Sequence, residues 1–127
     1  MKNFFVVTAT IEFLTALALV VALTFTVSLL LGASLNEAAA IVVARVAGVV
    51  LVTVSIACWY ARNDIQSRTA SGLLIAMLFY NVAIIFLFAY AAFASSLNGV
   101  GTYPAILVHA AMAGWCITCL LKKQSTV

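Results

Sequence analysis

Charged residues are scarce in this chain. Six Lys and Arg and three Asp and Glu make up 7% of the 127 residues, against about 25% in an ordinary soluble domain. A small soluble domain has a large surface for its volume, and polar side chains must cover that surface. So few charges exclude a soluble enzyme, and the high hydrophobicity excludes a disordered segment.

Proline and cysteine are also rare. The chain has one proline and six glycines, which excludes a collagen-like repeat. Its three cysteines are too few for the disulfide framework of a small secreted protein. The basic residues are scattered along the chain, so the formal net charge of +3 does not indicate a nucleic-acid partner.

Apolar sequence is abundant. Hydrophobic residues make up 67% of the chain, and the mean hydropathy is +1.27. Four long apolar segments cover approximately residues 4–31, 35–60, 70–94 and 104–121, and about 20 apolar residues suffice for one helix to cross a bilayer. We therefore expect an all-α fold, an integral membrane four-helix antiparallel bundle that forms a single transmembrane domain over residues 1–127.

Short polar stretches mark the expected helix ends. Gly32 can end the first helix in the left-handed conformation. Ser34 and Glu37 form the S-x-x-E pattern of a capping box for the second helix. Ser67 or Thr69 can cap the third helix.

The basic residues also predict an orientation. Outside the apolar segments they all fall on one side of the predicted bundle: Lys2, Arg62, Arg68, Lys122 and Lys123. The two connections on the other side contain no lysine or arginine. By the positive-inside rule, we expect an integral plasma (inner) membrane protein with both termini in the cytoplasm. The first apolar segment is longer than the roughly 7–15 residues of a signal peptide, so we expect it to be retained.

Arg45 and His109 lie inside apolar segments, where polar side chains are costly. Arg45 either reaches outward to lipid phosphates or faces the interior as an anchor for an anion or a carbonyl group. The small residues Ala40, Ala44 and Gly48 beside it favour close helix packing. His109 either makes packing hydrogen bonds or orients a ligand or moves a proton. Both are expected at a similar depth, as ligand-binding candidates. A single histidine does not predict a metal site.

Glu37 and Tyr90 are further candidates for a polar cluster near the outer ends of the helices. The capping box already explains Glu37. Tyr90, like Tyr103, is also typical of the tyrosines found at membrane interfaces. Neither residue is evidence for a binding site by itself.

Glu12 and Asn81 are expected deeper in the bilayer. If the first helix begins near residue 4, Glu12 is an intramembrane acid that needs a partner or a proton, and Lys122 or Lys123 could pair with it. Asn81 lies in the middle of the third apolar segment. Hydrogen bonding between helices is its expected role, with ligand binding as the alternative.

Cys116 and Cys119 form a C-x-x-C spacing on the fourth predicted helix. The spacing resembles that of vitamin K epoxide reductase-like proteins, in which such a pair carries thiol–quinone redox chemistry. Here both cysteines, with Cys58, fall at the predicted cytoplasmic ends of their helices, where thiols stay reduced. Packing as small apolar residues is the favoured interpretation, with a redox role as the alternative.

The order of several short motifs resembles the DoxX-like small bacterial membrane proteins. The motifs are Leu31-Gly32, Ala44-Arg45 with Gly48, Trp59-Tyr60-Ala61-Arg62, and His109. The resemblance spans most of the chain and implies a four-helix bundle. It implies no particular activity, because a shared architecture does not transfer chemistry.

Three functional hypotheses follow. The first is a binding or accessory protein that holds a lipid or another hydrophobic small molecule between its helices. The second is a membrane-embedded enzyme, an isomerase, cyclase or thiol–quinone oxidoreductase, with Arg45 and His109 at the reacting group. The third is a channel or transporter subunit, which would need a homo-oligomer. The sequence identifies no cofactor and does not decide whether the protein is catalytic.

Overall fold

The computed structural model describes residues 1–124 of the chain. Within them the chain forms five α-helices and no β-strand: α1 (Lys2–Val21), α2 (Leu23–Leu31), α3 (Ala38–Ala61), α4 (Arg68–Ala94) and α5 (Thr102–Gln124). Of these, α1, α3, α4 and α5 are long and apolar enough to cross a membrane. The fold is therefore all-α, as predicted. Residues 125–127 of the predicted domain lie outside the described residues.

The first apolar segment forms two helices, so the prediction of one helix over residues 4–31 is wrong. The chain breaks at Ala22, whose φ of −122° and ψ of 44° are not helical. The hydroxyl of Thr26 bridges the break, since Oγ1 lies 3.1 Å from the carbonyl oxygen of Ala18 and 2.9 Å from that of Ala22. Threonine hydroxyls that bond to backbone carbonyls in this way often bend helices.

Two of the predicted helix ends are confirmed. Gly32 follows α2 with φ 66° and ψ 14°, and its N–H donates to the carbonyl oxygen of Ser28. This left-handed conformation suits glycine, which has no Cβ. Ser67 precedes α4, and its hydroxyl oxygen accepts a hydrogen bond of 3.0 Å from the backbone N–H of Ala70.

The predicted capping box at the start of α3 is wrong. Glu37 itself occupies the N-cap position, and its side chain makes no capping hydrogen bond. The hydroxyl oxygen of Ser34 accepts from the side-chain amide of Asn36 instead. Because the helix begins after Glu37, Ser34 is too far from the first helical turn to cap it.

α1 packs mainly against α3, and the two run antiparallel. The hydroxyl of Ser55 donates to the carbonyl oxygen of Ala9 at 2.7 Å. Further along α1, Gly48 lies against the backbone of Ala16 and the side chain of Leu19. From the first contact to the second, residue numbers increase along α1 and decrease along α3, as in an antiparallel pair. Gly48 thus supplies the close approach that the pattern of small residues predicts.

α4 packs mainly against α5, again antiparallel. Asn81 lies opposite His109, and Ser71 lies opposite Lys123. The Nζ of Lys123 also donates to the carbonyl oxygens of residues 65, 66 and 67, which precede α4. The two helix pairs, α1 with α3 and α4 with α5, are the structural halves of the molecule.

The two pairs join at one end through a cluster of buried side chains, here called the cysteine end. Its members come from α1, α3, α4 and α5 and include Phe4, Phe5, Cys58, Leu74 and Cys116, each with no exposed surface. The ring of Phe4 also meets that of Trp115 edge-on, with centroids 5.8 Å apart.

At the opposite end, here called the Gly99 end, α2 joins the α4–α5 pair. The N–H of Gly101 donates to the carbonyl oxygen of Leu29 at 2.8 Å, and that of Gly99 to Leu30 at 3.2 Å. The buried hydroxyl of Thr102 also donates to Leu30. The loop between α4 and α5 thus satisfies carbonyl groups that the end of α2 leaves unpaired.

The outward faces of the helices are strongly apolar. Three phenylalanines at seven-residue spacing on α4, Phe79, Phe86 and Phe93, are 76%, 71% and 79% exposed. Similar exposed valines and leucines cover the outside of α1, α3 and α5. Such a continuous apolar surface is far larger than a soluble monomer ordinarily exposes.

Candidate functional site

A cavity of about 550 Å³ lies between the two helix pairs. All five helices line it, with side chains that include Leu19, Leu30, Leu51, Ile84, Ala105 and His109. Its volume is in the range typical of pockets for small molecules. Val50 of α3 and Val108 of α5 also line it and are exposed, so the cavity opens to the outside of the helices.

The cavity is mainly apolar. Among the described residues, its polar lining side chains are Thr15, Tyr80 and His109. Tyr80 and His109 touch each other edge-on, with ring centroids 5.7 Å apart. They place two polar groups side by side on one wall, and Thr15 of α1 is the third polar side chain in a lining that is otherwise hydrophobic.

Tyr80 connects the cavity to Glu12. Its hydroxyl donates to Oε2 of Glu12 at 3.2 Å, across the interface between α4 and α1. Glu12 is 4% exposed and lies near the middle of α1, which begins at Lys2. Because the first helix begins before residue 4, Glu12 is the interior acid that the sequence predicts for that case. Tyr80 is its hydrogen-bond partner.

His109 is held by Asn81. Nδ1 of His109 lies 2.8 Å from Oδ1 of Asn81. The amide nitrogen of Asn81 donates to the carbonyl oxygen of Met77 at 2.6 Å, and this bond fixes which way the amide points. Oδ1 can only accept, so Nδ1 of His109 carries the proton. In the neutral ring, Nε2 then has a lone pair and acts as an acceptor.

Nε2 is the ring nitrogen of His109 that is left open. Among the described residues, only Nδ1 has a hydrogen-bond partner. Within residues 1–123, Thr8 Oγ1 is the one side-chain polar atom that is fully buried without a partner. Nε2 therefore keeps accessible surface, on a side chain that lines the cavity. Asn81, 1% exposed, has the interhelical role that its mid-helix position predicts.

Arg45 is not part of this arrangement. It is exposed on α3 and does not line the cavity. Glu12 lies between Ala9 and Ala16 on α1, which face Ser55 and Gly48 on α3. Glu12 bonds to Tyr80, and Tyr80 touches His109, so Glu12 marks the level of His109 along the bundle. Arg45 lies about 10 Å from that level, toward the Gly99 end. The expectation of a shared depth is therefore wrong. Both residues lie seven positions into their helices, but α3 begins further toward the Gly99 end than α5 does.

Glu37 and Tyr90 are not among the residues that line the cavity, and both are exposed. Tyr90 is 68% exposed on α4 and Tyr103 is 52% exposed on α5. An outer cluster of these residues with Arg45 stays a prediction.

The expected pairing of Glu12 with Lys123 is also not observed. Lys123 lies at the end of α5, where it binds carbonyl groups next to α4. Lys122 is exposed at the same end of α5. Glu12 lies mid-helix because α1 begins at Lys2, which places it too deep for the end of α5.

Cys58, Cys116 and Cys119 are free thiols in the buried cluster at the cysteine end. Cys58 and Cys116 have no exposed surface, and Cys119 is 6% exposed. They contact phenylalanine and leucine side chains, which supports the packing interpretation. Among the described residues, no group of three or more His, Cys, Asp or Glu side chains is arranged to hold a metal ion.

Tyr80 is the site residue that sequence reasoning missed. It adjoins Asn81 in the middle of a long apolar segment, far from the ends where tyrosines sit at interfaces. A buried tyrosine hydroxyl usually needs a hydrogen-bond partner. That rule applied to Tyr80 would have directed attention to Glu12, one of the few acidic residues in the chain.

No protein-family model matches the chain, and the comparisons with curated proteins and with solved structures give no significant match.

Proposed function

We propose that this protein binds a hydrophobic small molecule or lipid within a membrane, in the cavity between its two helix pairs. The observation that carries the proposal is the cavity itself. It is large enough for a small ligand, it is almost entirely apolar, and it has one polar wall formed by Tyr80 and His109.

The membrane location is part of the proposal. Four helices are long and apolar enough to cross a bilayer, and their outer faces expose aromatic and aliphatic side chains. The four long helices then form an antiparallel membrane bundle. Five of the six basic residues lie at the cysteine end, and Arg45 is the exception. This end and both termini are therefore placed in the cytoplasm, with the protein in the plasma (inner) membrane. Membership of the DoxX-like proteins fits this architecture and is proposed with it.

The cavity opening supports entry from the bilayer. Exposed residues of α3 and α5 line the cavity, so a lipid-soluble molecule could reach it sideways without passing through water. Arg45, exposed on α3 toward the Gly99 end, is in a position to extend to lipid phosphates there. The protein is accordingly a carrier or accessory protein for a membrane-dissolved compound.

The experiment is native mass spectrometry of the protein purified in a mild detergent. Ala105 lines the cavity, whereas Ala110, on the same helix, is exposed and does not. We expect wild type and Ala110→Phe to retain a bound hydrophobic molecule, and Ala105→Phe to lose it because the new ring fills the cavity. Equal retention by both variants, or an empty wild-type protein, would contradict the proposal.

A second candidate function is a membrane-embedded enzyme. The observation that favours it is the hydrogen bond from Tyr80 to Glu12 beside the His109–Asn81 pair, since carboxyl and imidazole groups both transfer protons. The identity of the retained molecule separates the candidates. A single compound recovered unchanged indicates a carrier, and a substrate–product pair indicates an enzyme.

A further inference from the structure

We infer that the cavity recognises an uncharged amphiphile that ends in a hydroxyl group, and that the hydroxyl donates its proton to Nε2 of His109. This inference rests on the proposed binding function and specifies its ligand class. The geometry around His109 carries it.

The first step is the direction of the hydrogen bonds. The carbonyl of Met77 accepts from the amide of Asn81, and the Asn81 oxygen accepts from Nδ1 of His109. Every donor in this series points away from the cavity. The imidazole group therefore presents an acceptor, and a ligand group that fits it has to be a donor.

The second step concerns Tyr80. Tyr80 also lines the cavity wall, but its hydroxyl proton is directed to the Glu12 carboxyl group at 3.2 Å. It is therefore not free to donate to a ligand carbonyl. The other hydroxyl of the lining belongs to Thr15, on α1. A ketone or an ester oxygen placed against Nε2 would face its lone pair without a donor, which is unfavourable in an apolar space.

The third step concerns charge. No lysine or arginine is among the described residues that line the cavity. The Glu12 side chain lies behind Tyr80, so a ligand carboxylate or phosphate would find no counter-charge there. An anionic headgroup is costly to bury under these conditions. The remaining class is a neutral alcohol or phenol on an apolar body.

The experiment compares 1-decanol with 1-methoxydecane, which has a similar apolar chain and lacks the O–H. Binding is titrated by native mass spectrometry. A net hydrogen bond corresponds to about three- to tenfold tighter binding of the alcohol. In His109→Phe this preference should disappear. In Ala110→Phe, the matched control that introduces the same side chain on the same helix outside the cavity, it should persist because His109 is left in place.

A second measurement uses wild type alone, in case the His109 variant does not fold. The chain has one histidine, so ¹⁵N-labelled histidine gives one Nδ1 and one Nε2 signal. We expect a protonated Nδ1 and an unprotonated Nε2, and only the alcohol should shift the Nε2 signal toward that of a hydrogen-bonded nitrogen.

The outcomes separate this inference from the proposed function. Equal binding of both probes to wild type, or an Nε2 that carries the proton, overturns the hydroxyl recognition and leaves the binding function intact. Failure of both probes to bind overturns the two together. Alcohol preference that is lost in His109→Phe and kept in Ala110→Phe supports the inference.

Discussion

At Gly99, the backbone of the loop before α5 lies very close to the backbone of α2. A Cβ atom added to Gly99 would overlap the carbonyl group of Leu29 and the oxygen of Ser28. Backbone atoms cannot move aside as a flexible side chain can. Gly72, in α4, has nothing within 4 Å of such a Cβ atom. Glycine is therefore required at position 99, whereas a larger residue would fit at position 72.

Gly99→Ala and Gly72→Ala should change stability in opposite directions. We expect Gly99→Ala to destabilise the protein by about 1–3 kcal/mol, since the loop must move away from α2. Gly72→Ala should stabilise it by up to about 1 kcal/mol, because alanine favours the helix. Thermal unfolding in detergent measures both. A neutral Gly99→Ala would mean that the loop does not pack on α2 as described.

At the level of elements, the break between α1 and α2 is the main departure from the predicted helices. An unbroken helix over residues 4–31 would be about 42 Å long, well beyond the roughly 30 Å hydrocarbon core. The break at Ala22 lets α2 turn so that Leu30 contributes to both the cavity wall and the contact with Thr102. A hydropathy profile does not reveal the break, because every residue around it is apolar or small.

Thr26→Val should weaken this break. Valine keeps the shape of threonine but removes the hydroxyl that bonds to Ala18 and Ala22. We expect a loss of about 1 kcal/mol, the usual net contribution of a hydrogen bond. Thr24→Val is the matched control, since Thr24 is exposed in the same helix, and it should have little effect. Equal melting temperatures for the two variants would argue against a bridging role for Thr26.

At the scale of the whole molecule, two antiparallel helix pairs meet at both ends and leave space between them. Buried aromatic and thiol groups close the cysteine end. The loop before α5 and the end of α2 close the Gly99 end. The cavity and its hydrogen-bonded groups lie in between, at the level where Glu12 meets Tyr80. This arrangement leaves a mainly apolar cavity with a few polar groups, open at the side between α3 and α5.

The proposed orientation predicts where fused reporters are active. Green fluorescent protein fused after Gln66, at the cysteine end, should fluoresce, and so should a fusion after Val127. Alkaline phosphatase fused after Asn98, at the Gly99 end, should be active. The positive-inside rule gives this result because five of the six basic residues lie at the cysteine end. The reverse pattern of activities would show that both termini face outward.

The sequence by itself determined the features that depend on neighbouring residues along the chain. Hydropathy located four long apolar helices, and local chemistry identified the ends at Gly32 and Ser67. These predictions succeed because hydropathy over about 20 consecutive residues identifies a spanning helix, and the few residues around each end decide its cap.

The tertiary structure decided which polar side chains meet. Glu12 and Tyr80 are far apart in sequence, and their contact depends on how α1 and α4 are rotated about their axes. Likewise, the rotation of α5 brings His109 to the cavity, and that of α3 leaves Arg45 exposed outside it. In a chain that is apolar on all sides, hydropathy does not select an inward face, so packing between helices sets the rotation.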